Sequence, residues 1–246
     1  MALDEVLLEE VSRPEAHAQT YLRFYQWIQP TLSLGFSQKA KRVVDFQYCK
    51  LNGIDVVQRP TGGKAVLHHR ELTYSVVSND PAFFPVADIF KTYCNIAKAL
   101  QEGFLRMGIE TTLAQGCGRR ASHGPGSAAC FAVSNHHEVL WQNRKLAGSA
   151  QRRAKNAFLQ HGSILIEFDV GPLSKALRLC DAASLGLTAT DLKTCLGRTP
   201  SVLELLGAML GGFQAIFNTR LVSCELNQTL STRAREAADQ RGSVWD

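Results

Sequence analysis

RPTGGKAVLHHRELTYSVV, residues 59–77, is the stretch on which the architecture turns. Pro60-Thr61-Gly62-Gly63 is turn chemistry, and it separates a strand-like run, Ile54 to Arg59, from two more, Ala65 to Leu67 and Leu72 to Val77. Working upstream, residues 39–51 have a helical pattern closed by Asn52-Gly53. Leu32 to Phe36 and Arg23 to Trp27 read as strands, and residues 2–10 as a helix with acids in its first turn. Downstream, residues 86–107 form a helical stretch ending at Gly108, a natural C-cap, and Ile109 to Leu113 reads as a strand. Three more strands follow: Val139 to Trp141, Arg144 to Gln151, joined to it through Gln142-Asn143, and Phe158 to Phe168. The remainder is mainly helical, with a strand-like run over Arg220 to Leu226. Strands in consecutive runs, with helices before, between and after them, predict an α+β class rather than strict βαβ alternation. No repeat or linker interrupts residues 1–246, so a single domain with a helical C-terminal portion from about residue 171 is expected.

Composition narrows the function. With 45% hydrophobic and 20% charged residues the chain is of ordinary globular composition. No apolar run approaches the roughly 18 residues of a membrane span. The N-terminus MALDEVLLEEV is acidic where a secretory signal would be basic, which predicts a cytoplasmic protein with no membrane partner. A net charge of +5 fits either an acidic partner or simply solvated lysines and arginines. No basic stripe interleaves with aromatics, so nucleic acid is not expected as a partner. The seven cysteines (49, 94, 117, 130, 180, 195 and 224) contain no C-x-x-C pair, and most are expected to be buried thiols. His68, His69, His136 and His137 lack the i, i+4 spacing of a zinc-binding helix, and no metal is expected.

Four segments can carry chemistry. Gly62-Gly63 lets backbone approach a ligand closely, and Arg59 offers a forked donor set for a carboxylate or phosphate; a plain tight turn explains the same residues. Lys145, in an otherwise apolar strand, fits a cation pointing into a narrow pocket. Alternation sets it on one face with Ala147 and Ser149, and an outward-facing lysine is the other reading. Gln160-His161-Gly162-Ser163 opens a very apolar strand. Cys130 ends a Gly-rich polar loop, residues 115–128, and a thiol there near a lysine would have a lowered pKa and act as a nucleophile.

Taken in order, MALDEVLL at 1–8, RPTGGKAVLHHRELTYSVV at 59–77, ACF at 129–131 with RKLAGSAQRR at 144–153, and LQHGSILIEFD at 159–169 resemble the lipoate-protein ligase and octanoyltransferase family, related to biotin protein ligases. The resemblance runs from residue 1 to about 169, and more weakly to the terminal VWD. It implies a mixed, largely antiparallel sheet with flanking helices, similar to the class II aminoacyl-tRNA synthetase and biotin ligase catalytic fold. It implies that Arg59, Gly62, Gly63 and His68 border the acyl site, that Lys145 points at the reacting carbonyl, and that Gly148, Ser149, His161 and Gly162 line the pocket. The 15 positions from Cys130 to Lys145 are similar to the cysteine-dependent octanoyltransferase branch. That branch takes octanoate from acyl carrier protein, holds it on the cysteine, and passes it to a lysine of a lipoyl-domain protein such as glycine cleavage H protein or a 2-oxoacid dehydrogenase E2, without a cofactor. The alternatives are an ATP- and Mg-dependent lipoate-protein ligase, transfer between two lipoyl domains, and a non-catalytic acyl-binding relative. Three departures stand out: AVSNHHEV at 132–139 where the family's transferases have a Pro-Ser-x-Tyr-Glu-like run, His69 in place of an aspartate, and a start at MALDE that leaves the family's first strand missing or upstream.

Overall fold

The computed structural model describes residues 1–114, 138–178 and 186–241. Among these the chain runs α1 (Ala2–Val11), β1 (Thr20–Tyr25), β2 (Thr31–Leu34), α2 (Ala40–Val43), α3 (Phe46–Leu51), β3 (Asp55–Gln58), β4 (Val66–His68), β5 (Glu71–Ser78) and α4 (Ile89–Arg106). It continues through β6 (Thr112–Leu113), β7 (Val139–Trp141), β8 (Arg144–Arg153), β9 (Phe158–Leu165), α5 (Val170–Ala176), α6 (Leu192–Leu196), α7 (Val202–Phe217) and α8 (Gln228–Arg241).

The strands divide between two sheets. The larger has six strands in the order β1-β5-β9-β8-β7-β6, and every neighbouring pair is antiparallel. The smaller runs β3-β2-β4, and it holds the parallel pairing, β2 with β3, that makes the architecture mixed. The expected largely antiparallel α+β fold is therefore observed, with the parallel share confined to the small sheet. β4 and β5 are consecutive yet belong to different sheets. The corner between them is turned at Arg70, whose φ of 53° puts a non-glycine residue in the left-handed region.

One face of the large sheet, carrying Leu72, Tyr74, Val76 and Ile164, packs against α4 and α7. These two helices approach closely because glycines meet at the crossing: a β-carbon on Gly212 would stand 2.4 Å from the Ala99 carbonyl oxygen. The helices start where their caps dictate. Asp88, Asp191 and Ser201 each accept a backbone N–H with the side chain at the N-caps of α4, α6 and α7. The opposite face packs α1, with α8 outside it, and beside them the small sheet with α3 and α5. The site lies on this second face, between the two sheets.

Most elements fall where the sequence places them, including the Gln142-Asn143 hairpin, whose residues have the positive φ of 48° and 61° that such a two-residue turn demands. Two expectations are corrected. Residues 39–51 form two short helices, because Val44 is extended and bridges to Leu177, and Asp45 then caps a new start. Arg220 to Leu226 forms no strand: Val222 is 81% exposed and the segment joins no ladder, so its β-prone residues lack the paired edge that would order them. Loop 115–128 lies outside the described residues. Among the described residues no helix is long and apolar enough to cross a membrane.

Candidate active site

Alternation along β5 turns Glu71, Thr73 and Ser75 to the face away from the main core, and all three are buried. Register sets Thr73 opposite Ser163 and Ser75 opposite His161 on β9, and β8 adds Gly148 opposite Ser163 and Ala150 opposite His161. Across a gap stand Ser33 of β2, Val66 and His68 of β4, and Arg59 at the end of β3. They line a narrow cleft. A β-carbon on Gly162 would stand 2.2 Å from the Gly148 carbonyl oxygen and 2.5 Å from the Tyr74 ring, so strands and ring close up only over a glycine.

The polar groups around this cleft form one directed chain. A guanidinium can only donate. Arg59 Nη1 donates to the Ser33 carbonyl (3.1 Å) and Oγ (3.3 Å), Nε to Thr61 Oγ1 (3.2 Å), and Nη2 to the carbonyls of Gly62 (2.8 Å) and Lys64 (2.7 Å). A hydroxyl that accepts from Arg59 is left to donate elsewhere. Ser33 Oγ lies 2.8 Å from His68 Nε2, and Thr61 Oγ1 lies 2.7 Å from His161 Nε2. Nδ1 of His68 faces the Glu71 carboxylate and donates, so in the neutral tautomer its Nε2 accepts from Ser33. Burial pushes His161 down to about 3 despite the opposing pull of Asp4, so this ring is neutral at pH 7. His68 stacks on Trp27 with centroids 4.4 Å apart, and its Nδ1 donates to Glu71 Oε1 at 3.3 Å. Glu71 also accepts from Thr73 Oγ1 and Ser163 Oγ, each at 2.6 Å. Behind His161, the buried Asp4 of α1 pairs with Arg23 and accepts from the Tyr25 hydroxyl at 3.1 Å.

The sequence-predicted residues fall in four places. Arg59, His68, Gly148, Ser149, His161 and Gly162 meet at the one cleft. Gly62 and Gly63 form the turn beside it. There Gly63 has φ +92° and the Arg59 Nη2 would lie 2.8 Å from a β-carbon, so the glycine admits the guanidinium. Arg59 thus spends its fork on protein acceptors and braces the loop beside the cleft. Ser149 turns its hydroxyl to Tyr74, at 2.6 Å, on the opposite face of the sheet. Lys145 lies three residues before Gly148 on β8, 2% exposed, ion-paired with the equally buried Glu138. Simple alternation does not extend to Lys145. Val139 pairs with Ala147 but Leu140 with Lys145, a register shift that leaves Leu146 as the extra residue of a bulge. Cys130 lies outside the described residues, as do Cys117, Cys180, His136 and His137. Of the cysteines that are described, Cys49 and Cys195 are pushed up to about 11 by burial, Cys94 is half-buried and Cys224 is exposed.

Sequence reasoning did not single out Ser33, Thr61, Glu71, Thr73, Ser163 or Trp27. One signal was present: Glu71, Thr73 and Ser75 alternate with Leu72, Tyr74 and Val76, a polar face on a strand flanked by apolar residues. Among the described residues no group of three or more histidine, cysteine or acidic side chains is placed to hold a metal ion.

The fold is shared with solved structures of lipoate-protein ligases. The chain superposes on lipoate-protein ligase A bound with ATP (TM-score 0.78, 22% identity, 97% of this chain and 88% of that one). It also superposes on the bipartite lipoate protein ligase of an archaeal lipoylation system from Thermoplasma acidophilum (TM-score 0.76, 24% identity, 97% and 86%). The chain belongs to the lipoyl protein ligase A/B catalytic domain family, whose model matches residues 1–214. Among its relatives is octanoyltransferase LipM of Carboxydothermus hydrogenoformans, 38% identical over 98% of this chain and 88% of the relative.

Proposed function

We propose that this protein is an octanoyltransferase that acylates a lysine of a lipoyl-domain protein. Octanoate would come from an acyl-carrier-protein thioester and pass through a thioester on Cys130. The observation that carries the reading is the cleft itself: narrow, floored by Gly148 and Gly162, and bordered by polar side chains whose hydrogen bonds are made within the protein. An alkyl chain needs such a wall, and an adenine or phosphate would need free donors. The near full-length likeness to octanoyltransferase LipM supports the same reading.

In this mechanism the Cys130 thiolate attacks the thioester carbonyl, the carrier leaves as a thiolate, and the octanoyl group rests on Cys130. A free thiol titrates near about 8.5, and a neighbouring ammonium lowers it by favouring the thiolate. Lys145 would supply that charge and stabilise the oxyanion of each tetrahedral intermediate. Glu138, ion-paired with Lys145 and as deeply buried, would favour the charged form of the ammonium. The acceptor lysine then attacks as the free amine, and Cys130 departs as a thiolate. Exchange between thioesters is nearly neutral in energy, and amide formation drives the sum, so neither ATP nor a metal enters the reaction as proposed. Arg59, Gly62, Gly63, His68, Ser149 and His161 would shape the acyl cleft without entering the chemistry.

Intact-protein mass spectrometry tests this. Mixed with octanoyl-carrier protein and no ATP, the protein should gain one octanoyl mass, and Cys130→Ser should not. Absence of the adduct, with lipoyl-domain modification appearing only on adding ATP, Mg and free acid, would overturn the reading in favour of a ligase.

A further inference from the structure

Three residues that line the cleft, His68, Thr73 and Ser163, share a single partner that lies behind them. Glu71 is 2% exposed and accepts a hydrogen bond from each: His68 Nδ1 and Thr73 Oγ1 on its Oε1, Ser163 Oγ on its Oε2. Thr73 is committed from the other side as well, since Trp27 Nε1 donates to its oxygen at 2.9 Å. One carboxylate therefore draws the protons of three wall residues away from the cavity, and what they leave facing it is apolar surface.

We propose that Glu71 is the specificity-determining positioning residue of the acyl cleft. By holding these three groups it makes a wall of polar side chains behave as hydrocarbon, and so selects an unsubstituted alkyl chain over one that carries a hydroxyl. The inference rests on the acyl chain occupying this cleft. Its physical basis is an acceptor count. A carboxylate accepts on both oxygens, whereas a carboxamide of the same shape accepts on one and donates from the other. In Glu71→Gln the amide oxygen best replaces Oε1, where it keeps two bonds. The amide nitrogen then faces Ser163, whose hydroxyl becomes the acceptor and turns its own proton into the cleft. That free donor offers a partner to a hydroxylated chain and none to an alkyl chain.

The test compares the rates at which the full-length protein takes up octanoyl and 8-hydroxyoctanoyl groups from the loaded carrier protein. An apolar wall rejects an added hydroxyl by about 100-fold, so wild type should prefer octanoyl on that order. Glu71→Gln should bring the preference to about tenfold or less, as one buried donor comes free to pair with the hydroxyl. Glu71→Gln with Ser163→Ala should restore it, because the displaced donor is gone; a merely structural role for Glu71 predicts no such rescue. An unchanged preference in Glu71→Gln, or a lost one that Ser163→Ala does not recover, overturns the inference. Should the glutamine variant not fold, Glu71→Asp keeps the charge but withdraws the oxygens. It should lower the preference in smaller measure, and an unchanged ratio counts against the proposal. A wild type that takes up neither acyl group removes the octanoyltransferase reading itself, which is a different failure from an unaltered ratio.

Discussion

Gly162 shows how a single missing methyl group fixes a site. The β9 backbone meets Gly148 and the Tyr74 ring there, and a β-carbon would fall 2.2 Å from a carbonyl oxygen that cannot rotate away. Gly162→Ala should therefore destabilise by about 1–3 kcal/mol through overpacking, a loss read as a lower midpoint in urea. An unchanged midpoint would mean the strands part at no cost. Lys145 and Glu138 make the complementary case for charge. Each is buried, and their ion pair joins two opposite charges away from the surface. Neither the pairing nor the bulge beside it was legible in the sequence. Alternation counts positions, and a bulge inserts one.

At the scale of elements, helices and hairpins follow local rules closely. Gly108 ends α4 at φ +78°, as its place after residues 86–107 predicts, whereas the start capped by Asp88 falls inside the expected range. The crossing of α4 and α7 was not legible. Gly103 and Gly212 sit inside helices, where glycine costs helix propensity, and the compensation appears only when the helices touch. Gly212→Ala places a methyl 2.4 Å from the Ala99 carbonyl and 2.5 Å from the Gly103 nitrogen. It should lower the thermal midpoint even though alanine favours the helix. A raised midpoint would show that propensity outweighs the crossing. Arg220 to Leu226 is the converse, a segment with strand composition that found no edge.

Over the whole molecule, acid should weaken the fold through His161. The unfolded histidine gains its proton near about 6.5 and the folded one at about 3, so between these values the unfolded state binds the extra proton. The contribution is complete above about pH 6.5 and declines by about 1.4 kcal/mol per unit as pH falls toward 3. Urea midpoints of wild type and His161→Gln at pH 7, 5 and 4 read it: the wild-type decline should be the steeper, and parallel curves would refute the assignment. The same buried ring explains what could and could not be read in advance. Local patterns in the chain determined most of the helices and strands, and the ordered motifs of the family resemblance carried the antiparallel character of the sheet and the glycines and histidines that meet at the cleft. Only the tertiary structure decided that the strands divide into two sheets, that Arg59 spends its donors on its own loop, and that Glu71, Thr73 and Ser163 join His68 in one network. The reason is distance along the chain. Caps and turns act over a few residues, whereas Ser163 and Glu71 are 92 positions apart and acquire their roles only when β5 and β9 come into register.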